Sequence, residues 1–156
     1  MVRLSKRAAI GGVSRPVLSI LLVATCLGLG TSAAALEIRR DMGGPVAERV
    51  AMIAALERSQ TTVRIAGLCV SACTMLLGLR RTCVEPEARL GFHGPSGSLA
   101  GVPLPRAEFE RVSRLIAGHY PPALRAWFMT EARMRTASYV TISGAEAIRM
   151  GARACD

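Results

Sequence analysis

The stretch Gly67-Leu68-Cys69-Val70-Ser71-Ala72-Cys73 places a serine between small residues, where a β-branched run gives way to an apolar helical one. A serine at such a strand-to-helix turn projects its hydroxyl from a sharp bend. The unpaired N–H groups of the following helix then face any oxyanion formed there. Serine also caps helix N-termini, and on this segment alone capping is the commoner role. The flanking glycines of an α/β-hydrolase elbow are absent, because Cys69 and Cys73 occupy those positions. Further on, Leu90-Gly91-Phe92-His93-Gly94-Pro95 delivers a histidine at the end of a strand-like run. A histidine there can reach a serine at a neighbouring strand's exit, as a general base must. The chain has two histidines; His119 sits in a Gly-His-Tyr-Pro-Pro break and reads as a linker residue, so His93 is the candidate base.

The elements that must position this pair follow from periodicity. Leu36 to Arg40 alternates apolar and charged residues, a half-buried strand. Asp41-Met42-Gly43-Gly44-Pro45 is a turn, and the apolar spacing from Val46 through Val50, Ile53 and Ala54 is helical, with Glu48, Arg49, Glu57 and Arg58 on the other faces. Thr61 to Ala66 reads as a strand, Gly67 to Val70 as a tight transition and Ser71 to Leu77 as a buried helix. Short strands are expected at 82–84 and 88–92, a loop at 94–105, helices at 106–117 and 122–134, and a last short helix opened by Ser143-Gly144-Ala145-Glu146-Ala147. Strands alternating with helices predict a single α/β domain with a parallel sheet. Aromatics make up only 4% of the chain, so its core is expected to be aliphatic.

The 156 residues carry a net charge of +9, which raises the question of nucleic acid. Arg3, Lys6, Arg7 and Arg15 stand before residue 36 with no acid among them, and the remaining bases are scattered arginines with no aromatic stripe between them. That distribution argues against a nucleic-acid partner. Instead, the early charges, the apolar run Val17–Leu29 and Ala33-Ala34-Ala35 have the form of a signal peptide over 1–35, leaving 36–156 as the folded domain. The run is shorter than the roughly 20 residues of a membrane span; an uncleaved leader would be the one route to membrane attachment. A periplasmic or secreted location follows. In an oxidising compartment the remaining Cys69, Cys73, Cys83 and Cys155 favour disulfides. Zinc is disfavoured, since Cys69, Cys73, Cys83 and His93 lack the paired spacing of structural sites. Parallel strands would bring Cys69 and Cys83 within the roughly 4.4–6.8 Å Cα spacing of a bridge. Cys73 would then be a buried thiol or the partner of Cys155.

Taken in order, Asp41-Met42-Gly43-Gly44-Pro45, Gly67-x3-Ser71-Ala72, the block Arg81 to His93 and Ser143-Gly144-Ala145-Glu146-Ala147 with Gly151 resemble the Clp protease proteolytic-subunit family. The likeness is closer still to exported ClpP/crotonase-like proteins, and it runs from about Leu36 to Gly151. It implies a layered parallel sheet with flanking helices, lacking the family's first strand-helix unit. It also implies a serine hydrolase or peptidase with Ser71 as nucleophile, His93 as base, and an oxyanion hole from the N–H groups of Ala72 and Gly44 or Gly43. The family's acid is missing, since Thr136 to Thr141 holds no carboxylate and Glu131 is the nearest acid upstream. The implied partners are a peptide or protein substrate and, from an exposed sheet edge, further copies of the chain. No metal or organic cofactor is indicated. The competing readings are an inactive module that binds peptide or a partner through the same cleft, and a crotonase-type enzyme acting on a CoA thioester. The hydratase's paired glutamates are not evident for the latter.

Overall fold

Val63 and Ile65 are fully buried while Arg64 between them is exposed, the period-two signature of a strand with one face on a core. They belong to β2 (Thr62–Val70), the centre of the sheet. The computed structural model describes residues 35–97 and 103–156. The chain divides into two units, Met1–Thr31 and Ser32–Asp156, and every described residue belongs to the second. The leader expected over 1–35 therefore lies outside the described residues, except for Ala35, which opens β1 (Ala35–Asp41). After β1 come α1 (Val46–Arg58), β2, a 3-10 helix (Ser71–Gly78), β3 (Thr82–Val84) and β4 (Arg89–Phe92). They are followed by α2 (Arg106–Ala117), α3 (Pro122–Thr130), β5 (Val140–Ser143) and α4 (Gly144–Arg149).

The protein is an α/β structure with a mixed five-stranded sheet in the order β1-β2-β4-β5, and β3 pairs with β2 beside β4. β1, β3 and β4 run parallel to β2, and β5 runs antiparallel to β4. An all-parallel sheet was the expectation from sequence; β5 corrects it. The triplet Val140-Thr141-Ile142 carries the β-branched signal, but it is short and follows Thr136-Ala137-Ser138, which has no strand pattern. After α3 a 3-10 turn at Ala132–Met134 suffices to bring it back along β4.

Two local features aim the site. Between Ile38 and Arg40 the β1–β2 register slips, so that β2 spends an extra residue near Gly67. A Cβ on Gly67 would lie 2.1 Å from the Arg39 carbonyl oxygen, which explains the glycine at this bulge. The strand runs on to Val70, so the expected transition at 67–70 narrows to one bend at Ser71. At the far end, Ser143 opens α4 with a capping box: its hydroxyl accepts from Glu146 N–H at 3.1 Å and its own N–H donates to Glu146 Oε2 at 2.7 Å.

The core is not purely aliphatic. Phe92, Tyr120 and Phe128 are buried, and with Trp127 they pack edge to face at centroid distances of 5.2 to 5.5 Å. Four of the chain's six aromatic residues thus gather where α2 and α3 meet the end of β4.

The four cysteines among the described residues are in disulfides, as Cys69–Cys73 and Cys83–Cys155. The Cys69–Cys83 pairing expected from sequence is wrong, and register is the reason. On β2 the neighbour of Cys83 is Arg64, whereas Cys69 lies beside Leu90 of β4. Five residues of extended chain, about 16 Å, separate the two positions. Cys73 is neither a free thiol nor the partner of Cys155. With Cys69, Cys73 and Cys83 in disulfides, the thiolates that a zinc site with His93 would need are not free.

Candidate functional site

The bend that ends β2 is a left-handed one. Ser71 has φ of +60°, a region few residues other than glycine enter. Such a conformation costs on the order of 1–3 kcal/mol and persists where the surroundings over-determine it. Three contacts do so here. The Cys69–Cys73 bridge straddles the serine at a Cα separation of 5.4 Å. The Thr74 hydroxyl donates to the Ser71 carbonyl at 2.7 Å and lies 2.7 Å from the buried Tyr120 hydroxyl, which can donate to it in turn. On the third side stands Gly43, where an added Cβ would lie 2.6 Å from Ser71 Cβ and 3.0 Å from Ala72 N.

The capping role considered for Ser71 is not what the structure shows. Val70 holds the N-cap position, with no side-chain cap bond, and among the described residues the Ser71 hydroxyl has no hydrogen bond. Its neighbour Ala72 is in the first turn of the 3-10 helix, where N–H groups lack intrahelical partners.

Gly44, Ser71, Ala72 and His93 line a single cleft, walled on its apolar side by Val46, Leu104, Val112 and Ile116. Site residues from Gly44 to His93 are thus brought to one place. Gly43 lies behind the cleft, and its N–H donates to Asp41 Oδ1 at 2.8 Å. Of the two glycines, this leaves Gly44, with φ of +138° and open space around its Cα, as the one with an uncommitted N–H.

His93 follows directly on β4. Its Nδ1 is 2.7 Å from the Gly94 carbonyl oxygen. A carbonyl can only accept, so this bond selects the tautomer of the neutral ring with the proton on Nδ1 and the lone pair on Nε2. The carbonyl is itself fixed, because Gly94 N–H donates to the Arg135 carbonyl at 2.8 Å. Glu131, the nearest acid upstream of the expected position, is exposed at the end of α3. Among the described residues, no carboxylate hydrogen-bonds to His93.

Two further ionisable groups line the cleft. Burial holds the Tyr120 hydroxyl above the ordinary tyrosine range, and its bond with Thr74 opposes this only in part. The hydrogen bond from Arg111 holds the Glu108 carboxyl below the usual carboxylate range, so it is ionised at neutral pH.

Sequence reading missed Asp41, Arg49, Thr74, Tyr120 and the Gly94 carbonyl. An aspartate two residues before a glycine is an Asx-turn signal, which could have revealed Asp41. Arg49, read as a solvent-facing charge, is 8% exposed.

Gly94→Ala is expected to lower stability by about 2–3 kcal/mol. An added Cβ there would fall 1.8 Å from the Arg133 carbonyl oxygen, and backbone cannot step aside as a side chain can. A urea midpoint equal to wild type would contradict this packing.

Comparison with known proteins gives no match, either to a protein-family model or to a curated protein.

Proposed function

We propose that the protein is an exported serine hydrolase of ClpP/crotonase-like kind, acting on peptide or ester bonds. The observation that carries this reading is the left-handed Ser71, free of hydrogen bonds, in the cleft that His93 shares. In this reading Nε2 of His93 takes the Ser71 proton as the hydroxyl attacks the carbonyl carbon. The N–H groups of Gly44 and Ala72 hold the oxyanion, and the imidazolium then protonates the leaving group. The apolar wall of the cleft receives an apolar portion of the substrate. Export agrees with the two disulfides, which are compatible with a periplasmic or extracellular protein. Among the described residues no helix is long and apolar enough to cross a membrane.

The test is labelling with a fluorophosphonate, followed by peptide mapping. An adduct on Ser71 supports a hydrolase. A folded protein that stays unlabelled supports instead a module that binds through the same cleft.

The Gly94 carbonyl sets the tautomer of His93 but supplies no charge to the imidazolium. Replacing the triad aspartate by an amide lowers turnover by about 10⁴ in a serine protease, so slow hydrolysis is expected of this chain. Register suggests where an added acid would face His93. Phe92 pairs with Val140 and Gly91 with Thr141, so the next position opposite His93 is Tyr139. Its ring already lies over Gly91, with Cδ2 2.9 Å from where a Cβ would be. Tyr139→Asp is expected to speed acylation roughly 10- to 100-fold, part of the aspartate's usual effect. Ser138→Asp, one residue out of phase, leaves the rate unchanged. Equal rates for both variants and wild type would remove the basis for this geometry.

A further inference from the structure

We infer that the Asp41–Arg49 ion pair is a positioning device for the oxyanion donor at Gly44, an inference that rests on the hydrolase reading above. Asp41 ends β1 and Arg49 lies on the first turns of α1, so the pair closes the Gly43-Gly44-Pro45 connection like a clasp. Asp41 Oδ2 accepts from Arg49 Nη2 at 2.7 Å, and Oδ1 accepts from Gly43 N–H at 2.8 Å. The side chains are 8% exposed for Arg49 and 19% for Asp41, so this is the most deeply buried ion pair among the described residues. Desolvation offsets much of such a pair's attraction, so its burial is weak evidence of a stabilising role.

Its geometry gives it two tasks. The first concerns direction. Gly43 and Gly44 both have positive φ and no side chain to restrain them, so the peptide between them is intrinsically free to turn. Asp41 pins the Gly43 N–H, and the contact of Gly43 with Ser71 Cβ and Ala72 N pins its Cα. With both fixed, the peptide that carries the Gly44 N–H is restrained at the edge of the cleft that Ala72 also lines. Occupying Gly43 N–H also decides which of the two glycines can act as donor. The second task concerns charge. An unpaired carboxylate three residues from the oxyanion donor would oppose the negative charge of the tetrahedral intermediate; the Arg49 guanidinium offsets it. Arg49 and Asp41 do not touch the reacting atoms, so both act through Gly44.

The test compares two double variants of equal charge. Asp41→Asn/Arg49→Met keeps an acceptor for Gly43 N–H, and Asp41→Ala/Arg49→Met removes it. Time courses with a fluorophosphonate at several concentrations separate the limiting acylation rate from the probe's apparent affinity. The labelled amplitude independently reports the folded fraction. Loss of an oxyanion donor lowers turnover by about 10²–10³, and a misaimed one should lose part of that. The Asn/Met chain is expected to acylate within about fivefold of wild type, and the Ala/Met chain roughly 10- to 100-fold more slowly, with affinity unchanged. Arg49→Met alone, with its carboxylate uncompensated, falls with the slow chain. Equal limiting rates for the two double variants would overturn the inference, as would wild-type speed in Arg49→Met. Either result leaves the hydrolase reading intact so long as wild type labels on Ser71. If wild type does not label there, that reading fails and the positioning role falls with it.

Discussion

Ser71→Ala is expected to abolish labelling by fluorophosphonates and to reduce esterase turnover to background. His93→Ala should slow acylation by about 10³–10⁴, since removing one member of a coupled nucleophile–base unit forfeits most of its effect. Both variants should fold, because Ser71 Oγ makes no hydrogen bond among the described residues and His93 is only half-buried at the cleft. Ser71→Gly sharpens the argument. It removes the nucleophile but relieves the left-handed backbone at φ +60°, so it should raise stability by about 1 kcal/mol while being inactive. A helix-capping serine behaves in the opposite way, losing about 1 kcal/mol on conversion to alanine and little of any activity. Thermal melts and labelling on the same three proteins therefore separate a strained functional serine from a structural one. A Ser71→Ala protein that labels at the wild-type rate would sink the hydrolase reading.

The second large effect concerns stability. Cys83 and Cys155 are 72 residues apart and bridge β3 to the C-terminal segment, which Val84 and Ala154 join by a parallel bridge. Chain-entropy arithmetic assigns such a loop about 4.4 kcal/mol, against about 2 kcal/mol for the short Cys69–Cys73 loop. The double variant Cys83→Ala/Cys155→Ala should thus lower stability by about 4 kcal/mol and the melting temperature by roughly 12–25 °C. Cys69→Ala/Cys73→Ala should lower stability by about half as much, yet affect acylation more, because that bridge straddles Ser71. Chemical denaturation of the two variants side by side is the measurement. Equal losses in stability would show that loop length does not govern the effect.

Much of this arrangement was legible in the residues. Alternation in Leu36–Arg40 and Thr62–Ile65 marks strands because one face meets the core and the other does not. Spacing in Val46–Ile53 and Phe109–Ile116 marks helices for the same reason at a different period. Ser71 and His93 were legible as candidates because each stands at the end of a strand beside small residues. With Gly44 and Ala72 they line one cleft.

What remained hidden depends on which strand lies beside which, and by how many residues. Pairing of Cys83 with Arg64, and of Cys69 with Leu90, decides the disulfides, and no local pattern encodes that offset. The reversal at β5 is settled by how α3 and its following turn return the chain, not by the polarity of Thr136 to Ser138. Arg49 looks solvent-facing on its helix because its burial comes from Asp41, on a different element. The sequence by itself determined the periodic elements, the number of cysteines and the residues capable of chemistry, since these rest on side-chain type and near-neighbour spacing. Only the folded structure decided the sheet's register, the cysteine partners, the hydrogen bond at His93 Nδ1 and which of Gly43 and Gly44 has its N–H occupied. Register and the Cys83–Cys155 bridge join residues far apart in the chain, while the His93–Gly94 and Gly43–Asp41 bonds are short-range contacts whose geometry is set by the backbone around them.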